Sequence, residues 1–390
     1  MVYDFDVRLA RQGSGSLKYD ALETVFGADD VLPLWVADMD FAAPPAVTEA
    51  LLARAQHPVY GYTLFPPELA NSLVDWFAQR HSWKILPEWV VMAPGVVPSL
   101  HAAALAFAEA GQGIIVQSPV YPPFFSAVEK TGRRLLINPL REDQGRYEID
   151  FAHLEACMQD NACVLFLCSP HNPIGRVWRL DELQRVLELA ERYQVLIISD
   201  DIHCDLVYAG QQHQMLAELP GAAARVITAV APSKSFNIPG MGLSALVIPD
   251  AGHRRALEKV FASLSMQQAN PFSVTAFAAA YRSGGPWLDA LLVYLQSNRD
   301  RACALINEHL APIRVQVPES TYLLWLDCRE LGLSDPELKR FFIQQAKVGL
   351  NPGVSFGAAG SGFMRLNIGT QWSVIEQAIL QIGQALQARN

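Results

Sequence analysis

Ala162 to Asp201 reads ACVLFLCSPHNPIGRVWRLDELQRVLELAERYQVLIISDD, and this stretch decides the fold. Val164-Leu165-Phe166-Leu167 and Val195-Leu196-Ile197-Ile198 are apolar on both faces, as strands inside a covered sheet must be. Between them, Leu180 to Tyr193 has the helix period. Leu180, Leu183, Val186, Leu187 and Ala190 fall on one face, with Asp181, Glu182, Gln184, Arg185 and Glu188 largely on the other. Strands apolar on both faces and separated by helices are what a buried, mostly parallel sheet requires.

The same alternation extends outward from about residue 88 to 250. Val90-Val91-Met92, Gly113-Ile114-Ile115-Val116, Val226-Ile227-Thr228 and Ala245-Leu246-Val247-Ile248 read as further strands. The architecture is α/β, with ligands expected at the carboxyl ends of the strands. Past residue 285 the pattern changes to a long helix over Asp289–His309 and a strand over Tyr322–Leu326. A helix near Asp335–Ala346, a glycine-rich stretch over Gly353–Gly362 and a C-terminal helix over Ser373–Gln387 follow. That order suits a smaller α+β domain. Residues 1–45 read as an N-terminal arm and part of that small domain, 46–285 as the large domain, and 286–390 as the C-terminal small domain.

Bulk properties agree. A chain of 390 residues exceeds what one core usually supports, and 51% hydrophobic residues suffice for two. The formal charge of -9 gives no electrostatic footprint for nucleic acid. The opening residues lack the basic start and apolar run of a signal peptide, and no apolar stretch is long enough to span a bilayer. Cysteines 157, 163, 168, 204, 303 and 328 form no CxxC pair and several sit in apolar runs, so reduced thiols and a cytoplasmic location are expected.

Five short motifs sit where this layout puts strand ends. In Ala231-Pro232-Ser233-Lys234-Ser235-Phe236-Asn237, a lysine directly follows an apolar strand; it is either a loop lysine or a nucleophile toward a carbonyl. In Ile198-Ser199-Asp200-Asp201-Ile202-His203, acids end a strand, where a pyridinium nitrogen or a helix cap would compensate them. A metal fits less well, because His203, Cys204 and Asp205 are consecutive. Ser169-Pro170-His171-Asn172-Pro173-Ile174-Gly175 is a turn whose Asn172 amide could donate to a phenolate oxygen. In Ala93-Pro94-Gly95-Val96-Val97-Pro98-Ser99, backbone N–H groups could hold a phosphate at a helix start, or the motif is plain helix initiation. Finally, Arg365 lies among apolar strand residues and calls for an anion, whether a protein carboxylate or a substrate.

In this order and spacing the five blocks resemble the fold-type I pyridoxal phosphate (PLP) enzymes, the class I/II aminotransferase-like family. Leu34-Trp35-Val36-Ala37-Asp38-Met39-Asp40-Phe41, Tyr60-Gly61-Tyr62-Thr63 and Ser233-Lys234-Ser235-Phe236-Asn237 look like its MalY/PatB-like cystathionine β-lyase (C–S lyase) branch. The resemblance covers nearly the whole chain. It implies the PLP-transferase fold type I: a large domain with a mostly parallel seven-stranded sheet, plus a smaller α+β domain.

It also implies roles. Lys234 would bind pyridoxal 5'-phosphate as a Schiff base, Asp200 would pair with the ring nitrogen, and Asn172 would bond the ring oxygen. Tyr121 would stack on the ring, making Lys234, Tyr121 and Asp200 the expected catalytic set. Val96 and Val97 would offer amides to the phosphate, and Arg365 would clamp the substrate carboxylate near the Ala37 backbone. Either Tyr60 or Tyr62 would reach the neighbouring subunit's phosphate, giving a homodimer with active sites at the interface. Three positions depart from the common aminotransferase pattern. Ala231 stands in place of a phosphate-binding serine and Gly242 in place of an arginine. His203 replaces a ring-oxygen tyrosine and joins the expected cofactor set, while Ser233 or Ser235 would take over part of the phosphate. These losses favour β-elimination from L-cystathionine or related cysteine S-conjugates, giving a thiol, pyruvate and ammonia. An aminotransferase and a regulatory interaction protein that keeps the fold are the alternatives. No metal, nucleic acid or membrane partner is expected.

Overall fold

The computed structural model describes residues 3–143 and 145–389. Its main sheet has seven strands: β1 (Val90–Ala93), β2 (Gly113–Val116), β3 (Arg134–Ile137), β4 (Ala162–Cys168), β5 (Leu196–Asp200), β6 (Val226–Val230) and β7 (Ser244–Val247). They lie in the order β1-β7-β6-β5-β4-β2-β3, and β7 alone runs opposite to the other six. The expected mostly parallel seven-stranded sheet is therefore present.

The two-faced apolar pattern has a direct cause. Val164, Phe166, Leu196, Ile198 and Ile227 point to one face, where they pack with the helix Val96–Phe107 and with Phe124, Leu257 and Phe261. Leu165, Leu167, Val195, Ile197 and Val226 point to the other and meet Leu183, Val186, Leu187 and Ala190 of the helix Leu180–Arg192. Successive side chains of a strand alternate faces, so both must be apolar when both are covered. Strand β3 was not expected: its residues Arg134 and Ile137 are exposed at the sheet edge, and only Leu135 and Leu136 give it an apolar centre.

A second, four-stranded antiparallel sheet contains β8 (Arg314–Val315), β9 (Leu323–Asp327), β10 (Asn351–Pro352) and β11 (Phe363–Asn367), in the order β8-β9-β11-β10. The helices Gly285–His309 and Trp372–Arg389 contribute buried faces to the core shared with it. Residues 34–41 form an irregular, repeatedly bent strap between the two sheets. Asn367 donates from Nδ2 to the Val36 and Asp38 carbonyls, and Asn237 bonds Met39 N–H and the Met39 and Phe41 carbonyls. Behind the strap, Lys18 and Arg11 of the arm pair with Asp40 and Asp38, which compensates two acids in a largely buried place. Among the described residues no helix is long and apolar enough to cross a membrane.

Candidate active site

A cavity of about 270 Å³ opens at the carboxyl ends of the parallel strands. Its walls bring together residues that lie far apart in sequence: Ala37, Val96, Val97, Tyr121, Asn172, Asp200, His203, Ser233 and Lys234. Each arrives by a simple local rule. Asp200 is the last residue of β5 and lies in register with Cys168 and Ala229 on the neighbouring strands. Its alternation partner Asp201 therefore points the other way, where Ser199 and His213 bond it. Lys234 sits on a single helical turn, Pro232–Ser235, that starts just after β6.

The opposite wall is the start of the helix Val96–Phe107. Gly95 precedes it at φ +145°, and Pro98 lacks an N–H, so the first in-helix bond is Ser99 N–H to the Gly95 carbonyl. The Val96 and Val97 N–H groups have no acceptor within the helix and face an anion-favouring dipole end.

Electrostatically the cavity is under-compensated. Burial of Asp200, with the neighbouring Asp201 charge adding to it, pushes its carboxyl up to about 7; only the Ile202 N–H and Lys234 favour its charge. Burial and the nearby Arg365 lower the Lys234 ammonium to about 8. Lys234 donates to the Ala37 carbonyl at 2.5 Å. Burial holds His203 neutral, at about 3, and its Nδ1 is buried without a partner. Among the described residues, neither Lys234, Asp200 nor Arg365 forms an ion pair.

Arg365, on β11, is 4% exposed, and burial pulls its guanidinium down to about 10. It donates to Asn172 Oδ1 (2.9 Å), the Trp35 carbonyl (3.0 Å) and Asn351 Oδ1 (2.8 Å), while its Nε has no partner. Every one of these acceptors is neutral. A buried cation without an anion is costly and marks a place where an anionic ligand would be stabilised. Because Asn172 Oδ1 is taken by Arg365, the Asn172 amide nitrogen is the end left to donate elsewhere.

Some expected residues lie elsewhere. Ser235 does not line the cavity: its hydroxyl turns back to Asp205 Oδ2 at 2.7 Å, so it is no phosphate donor, whereas Ser233 remains on the wall. Tyr60 and Tyr62 lie on a different concave surface with Gln267 and Asn270. His171 is buried, bonds the Pro119 carbonyl at 2.8 Å and is held neutral by burial, so it fixes the turn rather than entering the cavity. His81, Cys204 and Asp205 bring three possible ligating atoms within 4.8 Å of one another. Asp205, however, already accepts from Trp76, His81 and Ser235. Sequence reasoning missed Asn351, Asn237, Asn367 and Tyr322, which act on Arg365 or on the strap. Asn237 stands inside a motif that was read, but its partner strap is almost 200 residues away.

The cavity fits pyridoxal phosphate on its own evidence. It offers unpaired N–H groups at a helix start, a buried carboxyl lacking a cation, an orphaned His203 Nδ1 and a lysine with its charge suppressed. A side chain at Gly242 would meet only the Pro94 carbonyl, at 3.8 Å, so that wall is open rather than filled.

Residues 29–382 match the family model "Aminotransferase class I and II". The chain is 43% identical to the cystathionine beta-lyase PatB of Bacillus subtilis, over 98% of this chain and 100% of that one. The solved structure of cystalysin from Treponema denticola, which contains pyridoxal 5'-phosphate, superposes with a TM-score of 0.97 at 33% identity and covers both chains fully. The PLP-bound C–S lyase of Staphylococcus hominis superposes with a TM-score of 0.92 at 30% identity, over 99% of this chain and 98% of that one.

Proposed function

Given that the chain belongs to the class I and II aminotransferase family, we propose that it is a PLP-dependent carbon–sulfur β-lyase acting on L-cystathionine or related cysteine S-conjugates. The observation that carries the reading is that Lys234 and Asp200 share one cavity, that Arg365 lies just behind its wall, bonded to the lining residue Asn172, and that none of the three forms an ion pair among the described residues. Each lacks what a cofactor-bound amino acid would provide. The lyase branch is favoured because relatives named as lyases match over the whole chain, and because Ala231 and Gly242 leave out two phosphate ligands common in aminotransferases.

Lys234 would hold the cofactor through Nζ. The Val96 and Val97 N–H groups with Ser233 would take its phosphate, Asn172 and His203 its ring oxygen, Asp200 its ring nitrogen and Tyr121 its ring face. When bound, pyridoxal phosphate supplies an electron sink that acidifies the Cα–H of an attached amino acid. The protein's part is placement and proton handling. Arg365 binds the substrate carboxylate, its one unsatisfied anionic requirement, and so fixes which Cα bond faces Lys234. With its ammonium lowered to about 8, Lys234 holds roughly a tenth of its amine free at pH 7, against under a thousandth at an ordinary lysine value. Nζ takes the Cα proton and later delivers it to the departing sulfur. Asp200, ionised once a cation faces it, keeps the proton on the ring nitrogen.

The site is completed in our reading by a second copy. Tyr62 is fully exposed, beside exposed Leu64 and Val59, whereas Tyr60 bonds the Ala55 carbonyl and packs on Phe272. Tyr62 is therefore the residue assigned to cross into the neighbouring subunit. The six unpaired cysteines suit a reducing, cytoplasmic setting.

The test is to incubate the purified holoenzyme with L-cystathionine and no oxo acid, then measure pyruvate and free thiol. Equal amounts of both are expected. Neither product, with amino transfer appearing once a 2-oxo acid is added, would make the protein an aminotransferase.

A further inference from the structure

Tyr322 is absent from the cavity wall yet touches the atom that holds the lysine. Its side chain is 1% exposed, and its hydroxyl donates to the Ala37 carbonyl at 2.9 Å, the same oxygen that accepts from Lys234 Nζ at 2.5 Å. The placement is built in. Thr321 adopts φ +66°, a region that costs a β-branched residue energy, and Tyr208 donates to its carbonyl. Ile368 N–H then bonds the Tyr322 carbonyl, and the ring lies edge-on to His203, with centroids 6.2 Å apart. Burial raises the phenol far above its usual range, so it stays a neutral donor.

The acceptor is equally fixed. Arg365 bonds the Trp35 carbonyl, Asn367 those of Val36 and Asp38, and Asn237 both backbone groups of Met39. With the peptides on either side pinned, the Ala37 carbonyl has little freedom to turn.

We propose that Tyr322 is a positioning residue for Lys234, sharing the Ala37 carbonyl with the lysine and limiting how firmly that carbonyl holds the protonated amine. The inference rests on the reading of Lys234 as the base at Cα. In elimination the Cα–H electron pair becomes the Cα=Cβ bond and the C–S pair leaves with sulfur. The proton passes from Cα to Nζ and then to sulfur. A carbonyl whose only donor was the ammonium would hold that proton more firmly, and it would keep the waiting base charged. Other groups face Lys234 as well: Arg365 opposes its charge, while Asp38 on the strap and Asp200 on β5 favour it. Tyr322 is the one that acts on its acceptor.

The experiment follows exchange of the Cα hydrogen of L-alanine in D2O by the holoenzyme, as a function of pH. Alanine has no leaving group, so the measurement does not depend on carbon–sulfur cleavage. Tyr322→Phe should shift the acid limb of the exchange rate upward by about half to one pH unit, which is what one neutral hydrogen bond amounts to. The alkaline plateau, the cofactor content and the alanine KM should stay within about twofold of the parent. An unmoved acid limb, or an equal loss at every pH, overturns the proposal. Should Tyr322→Phe fail to retain cofactor, replacement of Tyr322 by 3-fluorotyrosine decides instead. That phenol is the stronger donor, and the acid limb must then move down. Thiol release from L-cystathionine is assayed in parallel: a shifted limb without thiol refutes the lyase reading and leaves this one standing.

Discussion

Replacing Arg365 by lysine keeps the positive charge and removes the planar fork, so it separates charge from geometry at the proposed carboxylate clamp. In the parent, three neutral acceptors hold the guanidinium: Asn172 Oδ1, Asn351 Oδ1 and the Trp35 carbonyl. A lysine ammonium is a point charge on a different stem and cannot reproduce that web together with a two-point grip on a carboxylate. Losing about two charge-assisted hydrogen bonds at ~1.5 kcal/mol each gives ~3 kcal/mol, or roughly a hundredfold in kcat/KM. Most of it should appear in KM, because the carboxylate is held in ground and transition states alike. Part should appear in kcat, since Asn172 loses the partner that orients its amide. The assay is pyruvate formation from L-cystathionine at fixed pH, with cofactor content measured on the same sample. A kcat/KM within threefold of the parent, cofactor intact, would refute the clamp.

Other outcomes follow from the same geometry. Tyr62→Ala should weaken pyridoxal phosphate retention by about tenfold, with Tyr60→Ala doing less, measured by dialysis and cofactor absorbance; the reverse order would reassign the crossing tyrosine. In cofactor-free protein the Asp200 carboxyl, near 7 folded against about 3.8 unfolded, binds a proton that the unfolded chain has lost. Its contribution to stability therefore falls as pH rises from about 4 to about 7, by at most roughly 4 kcal/mol. Cofactor-free Asp200→Asn should accordingly melt higher than the parent at pH 8 and no higher at pH 4. Gly360→Ala should destabilise by about 2 kcal/mol or more, since a Cβ there collides with the Gly353 carbonyl; thermal melting tests it.

The main sheet was legible because burial on both faces leaves a mark that local sequence carries: continuous apolar runs between helices of clear period. The sense of β7 was not, because an apolar run has no direction; nor was β3, whose ends Arg134 and Ile137 lie exposed at an edge. Residues that act at strand ends were legible for a related reason. A charge two residues after Ile198, or four after the run ending at Val230, needs an explanation that its neighbours cannot give. Ser235 misled because one backbone turn decides whether a hydroxyl faces the cavity or Asp205. Asn351 acts on Arg365 rather than on the strap, whereas Asn367 and Tyr322 stayed hidden because each works through the strap at residues 34–41. Nothing near them in sequence reports a partner some 285 to 330 residues away.

The account stands or falls on Lys234. Reducing the holoenzyme with borohydride, digesting it and locating the pyridoxyl group by mass spectrometry tests that directly. The label is predicted on the peptide containing Pro232-Ser233-Lys234-Ser235, stoichiometric with the protein and absent from Lys234→Ala. A label on another lysine, or none on a protein that still releases thiol and pyruvate, would contradict it.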